Sequence, residues 1–327
     1  MQKRELTYRD ALREALREEM KRDKNVFLIG EDIGVIGGNF KVTQGLLNEF
    51  GPERVMDTPI SENAIVGAAV GAGIMGMRPV AEIMYADFVC EAMDQLVNHM
   101  PKIRFMTGGK LRVPTVIRTQ FALYRYAGGQ HSQCFPVFFT NTPGLYVAVP
   151  STPYDAKGLL KSAIRDDNPV IFCEAADLYA RKGPVPEEEY TIPLGNADIK
   201  REGKDVTVFA FLDMVYLALK IADELEKEGI SVEVLDPRTL VPLDREKLIN
   251  SIKKTGRLVI IEPDPKSTGV GAEISSIAVE EVFEHLKAPV KRIGAMDMPA
   301  PMSPPLYNNF MPAQERVIKA IKEIVEK

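Results

Sequence analysis

Three side chains, Glu62, Phe88 and His131, have the types and stations that could do chemistry. Glu62 follows the apolar run Val55 to Thr58 and stands in the first turn of a stretch of small residues that reads as a helix. Phe88 holds the same station after Val80 to Met84. In a parallel sheet that station is the carboxyl edge of the strands, where ligands bind. A carboxyl group there can hold or move a proton, and a ring can stack on a flat ligand. An acid in a first helical turn also complements the helix dipole, and a phenylalanine also fills core, so position alone leaves both roles open. His131 lies in AGGQHSQCF, an irregular segment between strands, where an imidazole serves as acid or base or as a structural hydrogen-bond partner. The other two histidines, His99 and His285, fall on helical patterns that read as solvated, and no Ser-His-Asp spacing or metal-ligand motif accompanies His131.

Two glycine patterns are set aside. Gly71, Gly73 and Gly76 spell G-x-G-x-x-G, which binds a dinucleotide only when it follows a strand and opens a helix. Here the glycines close a helix and precede a strand, so Gly67, Ala68, Gly71, Ala72 and Gly73 read instead as a surface allowing close approach of a neighbour. Gly108, Gly109 and Lys110 lack the earlier glycine of a P-loop.

The elements that must position these residues alternate. Thr7 can cap a first helix with Asp10 three residues on, and Ala11, Leu12, Ala15, Leu16 and Met20 form its apolar stripe. Strands follow at Val26 to Ile29, Val55 to Thr58, Val80 to Met84, Thr115 to Ile117, Leu145 to Val149 and Val170 to Cys173. Between them lie a loop from Gly30 to Asn39, a helix over Ala64 to Ile74 capped by Ser61, a helical pattern over Asp87 to Met100, and a helix with Thr152 as N-cap and Pro153 at its first position. From Arg181 to Lys204 glycine, proline and charge displace any period. Alternation then resumes, with helices from Met214 to Lys227, from the cap Asp244 to the stop Gly256, over Ala272 to Phe283, and from Ala313, and with strands at Val206 to Phe211, Val232 to Leu235, Leu258 to Ile261 and Val290 to Ile293. The fold class is α/β, two doubly wound domains with mostly parallel sheets: 1–185, a linker at 186–204, and 205–327.

A chain of 327 residues suits two such domains, and 45% hydrophobic with 27% charged residues predicts that all of it folds. A net charge of −5 supplies no field for a phosphate backbone, so nucleic acid is not a partner. The most apolar stretch, Ala64 to Met77, is too short to span a bilayer, and MQKRELTYRDALREALREEM has neither a signal core nor the character of a transit peptide. Cys90, Cys134 and Cys173 are odd in number and set in apolar sequence, which predicts buried free thiols and a cytoplasmic location.

Taken together, GEDIG at Gly30, RVMDTPISENAIVGAAVGAG from Arg54, RPVAEIMYADF from Arg78, QHSQCF at Gln130, TPGLYVAVPSTPYDAKGLL from Thr142, SAIRDDNPVIF from Ser162 and GISVEVLDPRTLVPLD from Gly229 carry a resemblance over nearly the full length. The sequence resembles the beta subunits of the thiamine-diphosphate-dependent decarboxylating component of 2-oxo acid dehydrogenase complexes, the pyruvate, branched-chain and acetoin family. The resemblance implies an N-terminal pyrimidine-binding domain and a C-terminal transketolase-like domain. It implies that Glu62 hydrogen-bonds a ring nitrogen of the cofactor's aminopyrimidine and favours its imino tautomer, in a pocket that keeps the carboxyl partly protonated. Phe88 would stack on the pyrimidine, Ile60 and Met84 would line the pocket, and His131 would face the thiazolium and assist proton transfer and acyl handover. Asp166 and Asn168, with the Ala163 carbonyl, correspond to a site for a monovalent cation, K+, in some relatives.

Enzymes of this kind hold the diphosphate through Mg2+ on a Gly-Asp-Gly segment and a downstream Asn, and this sequence has no Gly-Asp-Gly. The resemblance therefore implies half a site, completed by an alpha subunit in an α2β2 heterotetramer that docks on a lipoyl acyltransferase core and acts on a small 2-oxo acid or acetoin. Two departures stand out. Where many relatives read R-x-P-x-G-G-G, the run from Arg118 to Gly129 is RTQFALYRYAGG, and a glycine usual after the first strand of the second domain is replaced within FLDMV by Leu212 and Asp213. Three rivals are the C-terminal half of a split transketolase, a nicotinamide-dependent dehydrogenase using the 71–76 glycines, and a noncatalytic scaffold for a partner.

Overall fold

A computed structural model describes residues 4–121, 123 and 125–326. Its centre is a seven-stranded sheet in the order Thr239–Val241, Tyr146–Ala148, Val170–Ala175, Val116–Phe121, Arg78–Ile83, Val26–Gly30, Val55–Asp57. Every pairing is parallel except that of Thr239–Val241 with Tyr146–Ala148. The parallel strands are short and nearly all buried, as strands covered by helices on both faces must be. A second sheet of five strands runs Lys291–Ala295, Leu258–Pro265, Val206–Ala210, Val232–Asp236, Asp198–Arg201, with only the last antiparallel. Glu5–Thr7 and Lys182–Pro184 form a small antiparallel pair beside the first sheet.

The caps behave as their chemistry requires in three of four cases. Thr7 accepts from the Asp10 amide and Thr152 from the Asp155 amide, both at 3.1 Å, and Asp244 accepts from the Lys247 amide at 3.0 Å. Ser61 precedes the helix Glu62–Ile74, but its backbone leaves the hydroxyl without a capping bond. The stretch expected as one helix from Asp87 to Met100 is instead a 3₁₀ segment, Ala86–Ala92, running into a π segment, Asp94–His99. In the closing turn of the helix before Arg78–Ile83, Gly73 approaches Thr115 so closely that a Cβ would meet its hydroxyl at 2.6 Å, whereas Gly71 faces open space. Helix, turn and strand thus run opposite to the order a dinucleotide loop needs. All three cysteines are free, but Cys90 is exposed, on the outer side of the 3₁₀ segment, and only Cys134 and Cys173 are buried. No helix among the described residues is long and apolar enough to cross a membrane.

The two sheets are joined by more than chain. Strand Thr239–Val241 follows a strand of the second sheet yet pairs with the edge of the first. Beside it, Asp155 is sealed from water and accepts from Arg238 Nε at 2.7 Å and Lys200 Nζ at 2.5 Å, while Ser151 donates to Asp236. Removing one member of such a buried set strands the others, at a cost of about 3–5 kcal/mol.

Leu212 takes a left-handed φ of 53°, the conformation that a glycine adopts freely. It delivers Asp213 into the interior, where one carboxyl oxygen finds no partner. Burial raises this carboxyl from the ordinary 3.8 to about 7, with the nearby Asp177 adding to the rise. The folded chain therefore holds a proton that the unfolded chain releases, and stability falls as pH rises between those two values. Asp213→Asn removes this penalty: thermal unfolding should show the variant level with the parent at about pH 4 and melting several degrees higher at about pH 8.

Candidate active site

At the carboxyl edge of the first sheet the chain turns of Glu31, Glu62, Met84 to Phe88 and Gln120 come together, because parallel strands aim all their C-terminal ends the same way. Glu62 is the first residue of its helix, is 9% exposed, and accepts no hydrogen bond from any described residue. Burial and the neighbouring Glu62 carboxylate push the Glu31 carboxyl above its usual range. The next residue, Asn63, reaches the Glu91 carbonyl and receives the Gln95 amide, both at 3.5 Å, which ties the Glu62 helix to the Ala86–Ala92 segment.

Phe88 and His131 meet edge to face, with ring centroids 5.2 Å apart and planes at 85°. Tyr85, which sequence reasoning did not single out, closes the group: its ring lies 5.4 Å from His131 and 5.9 Å from Phe88, again edge on. The three rings are set mutually on edge and each is half-buried, so the group borders solvent rather than filling core. Met84 is half-buried and Ile60 is 82% exposed.

The His131 loop is fastened on both sides. Asp87 Oδ1 accepts from the Gln133 amide at 3.2 Å and from its Nε2 at 2.9 Å. Burial raises the Asp87 carboxyl, and the bonds from Gln133 oppose that rise. On the other side Cys134 Sγ donates to Asp264 Oδ1 at 3.3 Å, reaching the strand Leu258–Pro265 of the second sheet. Burial pushes both groups well above their usual ranges. Behind the loop is a cavity of about 580 Å³ lined by Ser132, Phe135, Asp264 and Met298 among others.

Next to these rings is a buried network. Arg118 donates to Glu174 through Nε at 2.7 Å and Nη2 at 2.9 Å, and to Glu82 at 2.6 Å. The Tyr179 hydroxyl shares its single proton between two acceptors, Glu174 Oε2 at 2.6 Å and Gln120 Oε1 at 2.7 Å, and Gln120 Nε2 donates to the Met84 carbonyl. Gln120 occupies the proline position of the R-x-P pattern, so the departure from that pattern adds a strut a proline cannot provide. Of the run from Arg118 to Gly129, Ala122 and Tyr124 lie outside the described residues.

Ala163, Asp166 and Asn168 sit elsewhere, at the amino edge, before the strand Val170–Ala175 and beside the start of Arg78–Ile83. Asp166 Oδ1 accepts from the Asn168 amide at 2.7 Å and side chain at 2.8 Å, Asn168 Oδ1 accepts from Arg104, and Arg78 binds the carbonyls of Ile164 and Asp166. Among the described residues no group of three or more His, Cys, Asp or Glu side chains converges as metal ligands.

Residues 4–182 match the family described as Transketolase, pyrimidine binding domain, and residues 195–317 match Transketolase, C-terminal domain. The 2-oxoisovalerate dehydrogenase subunit beta of Bacillus subtilis (strain 168) is 44% identical over 98% of this chain and 99% of its own length. The chain belongs to the 2-oxo acid dehydrogenase E1 beta-subunit family. Other members are as similar: the acetoin:2,6-dichlorophenolindophenol oxidoreductase subunit beta of Bacillus subtilis, at 45% over 97% of this chain and 96% of that one, and the pyruvate dehydrogenase E1 component subunit beta of Rickettsia felis, at 44% over 98% of each. A solved structure titled split gene transketolase, inactive beta4 tetramer, superposes with a TM-score of 0.80 over 98% of both chains at 24% identity, a likeness of fold. Family membership answers the fold expectation, and it sets the nicotinamide-dependent and scaffold alternatives aside.

Asp87→Ala should release the His131 loop by removing two hydrogen bonds worth about 1–3 kcal/mol together. Amide hydrogen exchange over residues 131–134 should quicken roughly tenfold or more, with the sheet strands unaffected.

Proposed function

We propose that this chain is the beta subunit of a thiamine-diphosphate-dependent 2-oxo acid or acetoin dehydrogenase, which passes an acyl group to a lipoyl carrier and works only with an alpha subunit. The observation that carries the reading is an unpartnered, nearly buried carboxyl, Glu62, on the same sheet edge as a Phe88 and His131 ring pair. An acid left without a partner in a folded chain is suited to a ligand nitrogen, and the half-buried ring of Phe88 offers a flat heterocycle a stacking surface. The residues present therefore fit the aminopyrimidine end of the cofactor. They offer nothing of the Gly-Asp-Gly type for its diphosphate and Mg2+, which are assigned to the alpha subunit.

Thiamine diphosphate, when bound, supplies the electron sink for breaking the bond beside the substrate carbonyl. This chain's part is to hold and move protons. Glu62 holds one at its carboxyl oxygen against the pyrimidine ring nitrogen. His131, kept in place by Asp87 through Gln133, has no side-chain hydrogen bond to a described residue and is free to exchange a proton with substrate. Ile60, exposed in the single chain, becomes part of the pocket wall when the partner covers this edge. At the Ala163, Asp166 and Asn168 turn, guanidinium and amide donors already take oxygens of Asp166 and Asn168, so this reading gives the turn a structural role. Docking on a lipoyl acyltransferase core and an α2β2 assembly complete the proposal.

Glu62→Gln, in the protein co-expressed with its alpha subunit, should lower 2-oxo acid or acetoin turnover by about 10²- to 10⁴-fold while cofactor still binds. Retained turnover would remove Glu62 from the reaction. Ketol transfer between sugar phosphates by the parent pair would instead favour the split transketolase.

A further inference from the structure

We propose that the Tyr85 hydroxyl is a substrate-specificity group, donating a hydrogen bond to an oxygen on the carbon next to the reacting carbonyl. The inference rests on the function proposed above. Tyr85 touches both His131 and Phe88, at 5.4 and 5.9 Å between ring centroids, so it belongs to the same group of rings. Its own ring is further braced edge on against Phe40 at 6.0 Å. The segment entering it is fixed as well, because the preceding carbonyl, that of Met84, is taken by Gln120. The ring is therefore held from several sides, and only its tip is open to choice.

At that tip, Asn39 Nδ2 donates to the phenolic oxygen at 3.3 Å. The bond uses a lone pair and leaves the O–H proton to point elsewhere, and no described residue accepts it. Asn39 is exposed and Tyr85 half-buried, so the donor lies toward solvent rather than in core. A positioned and unused donor one ring away from His131 suits a small substrate carrying an acceptor oxygen beside its carbonyl. Two substrate classes meet that requirement: a 2-oxo acid through its carboxylate, and acetoin through its hydroxyl oxygen.

The test is Tyr85→Phe in the co-expressed alpha and beta pair, which keeps the ring contacts and removes only the hydroxyl. Turnover is read with dichlorophenolindophenol as electron acceptor, on pyruvate, a branched-chain 2-oxo acid and acetoin. KM should rise about tenfold for a carboxylate acceptor and several-fold for a hydroxyl acceptor, with kcat within about twofold and the thiamine diphosphate titration unchanged. A rise confined to the 2-oxo acids identifies the carboxylate as the group read, and one confined to acetoin identifies the hydroxyl. An unchanged KM overturns the inference, as does a loss of cofactor affinity that parallels the KM rise, since that marks a purely structural role. A parent pair that turns over none of the three substrates removes the proposed function and this inference with it, an outcome visible before any variant is compared.

Discussion

Arg118, sealed between Glu82 and Glu174 on three adjacent strands, is the constraint on which the rest of the site depends. Burial alone would lower the affinity of its guanidinium for a proton, but two carboxylates hold it well above its usual range, so the charge persists inside the fold. A buried ion set of this kind adds little net stability over an apolar replacement, yet losing one partner is severe. What it contributes is register. With Glu174 oriented by Arg118, Tyr179 has a fixed acceptor, Gln120 has a fixed neighbour, and the Met84 carbonyl is held just before the Tyr85 ring. Position of the rings is thus tied to a buried charge through Glu174, Tyr179 and Gln120.

The second fastening runs between sheets. Asp155 draws Lys200 and Arg238 inward, and Cys134 bonds Asp264 across the same divide, so the loop bearing His131 is tied to both halves of the molecule. An imidazole on an unsupported loop would sample many orientations. Here the flanking residues Gln133 and Cys134 each carry a bond in opposite directions, and the imidazole is left free only at its ring. Pre-organisation of this sort is what a family that reacts at a bound heterocycle requires of its apoprotein.

Much of the frame was legible in the residues. Alternating apolar runs gave every parallel strand, and oxygen side chains at Thr7, Thr152 and Asp244 marked helix starts because a local cap is a short-range bond. Ser61 looked the same and does not cap, since its backbone was decided by the turn that delivers Glu62. The Asp87 to Met100 segment has an apolar period, but period does not distinguish an α-helix from the 3₁₀ and π turns that form here. Glu62 and Phe88 could be placed at the sheet edge from alternation, His131 only in an irregular segment between strands, and the roles of all three came from the resemblance. Tyr85, Asp87 and Gln120 went unremarked because their partners lie far off in sequence: Gln120 is 36 positions from Met84 and Asp87 is 46 from Gln133. Only the stacking of parallel strands brings such positions together. The strand Thr239–Val241 was hidden for a related reason, being read as a connection within the second half while its hydrogen bonds belong to the first.

That borrowed strand has a bearing on ancestry. A recombination joint placed between residues 182 and 195, where the two family domains divide, would carry Thr239–Val241 away with the wrong partner and leave the rim of Tyr146–Ala148 bare, an invitation to intermolecular zippering. Halves exchanged between cousins must therefore bring matching seams.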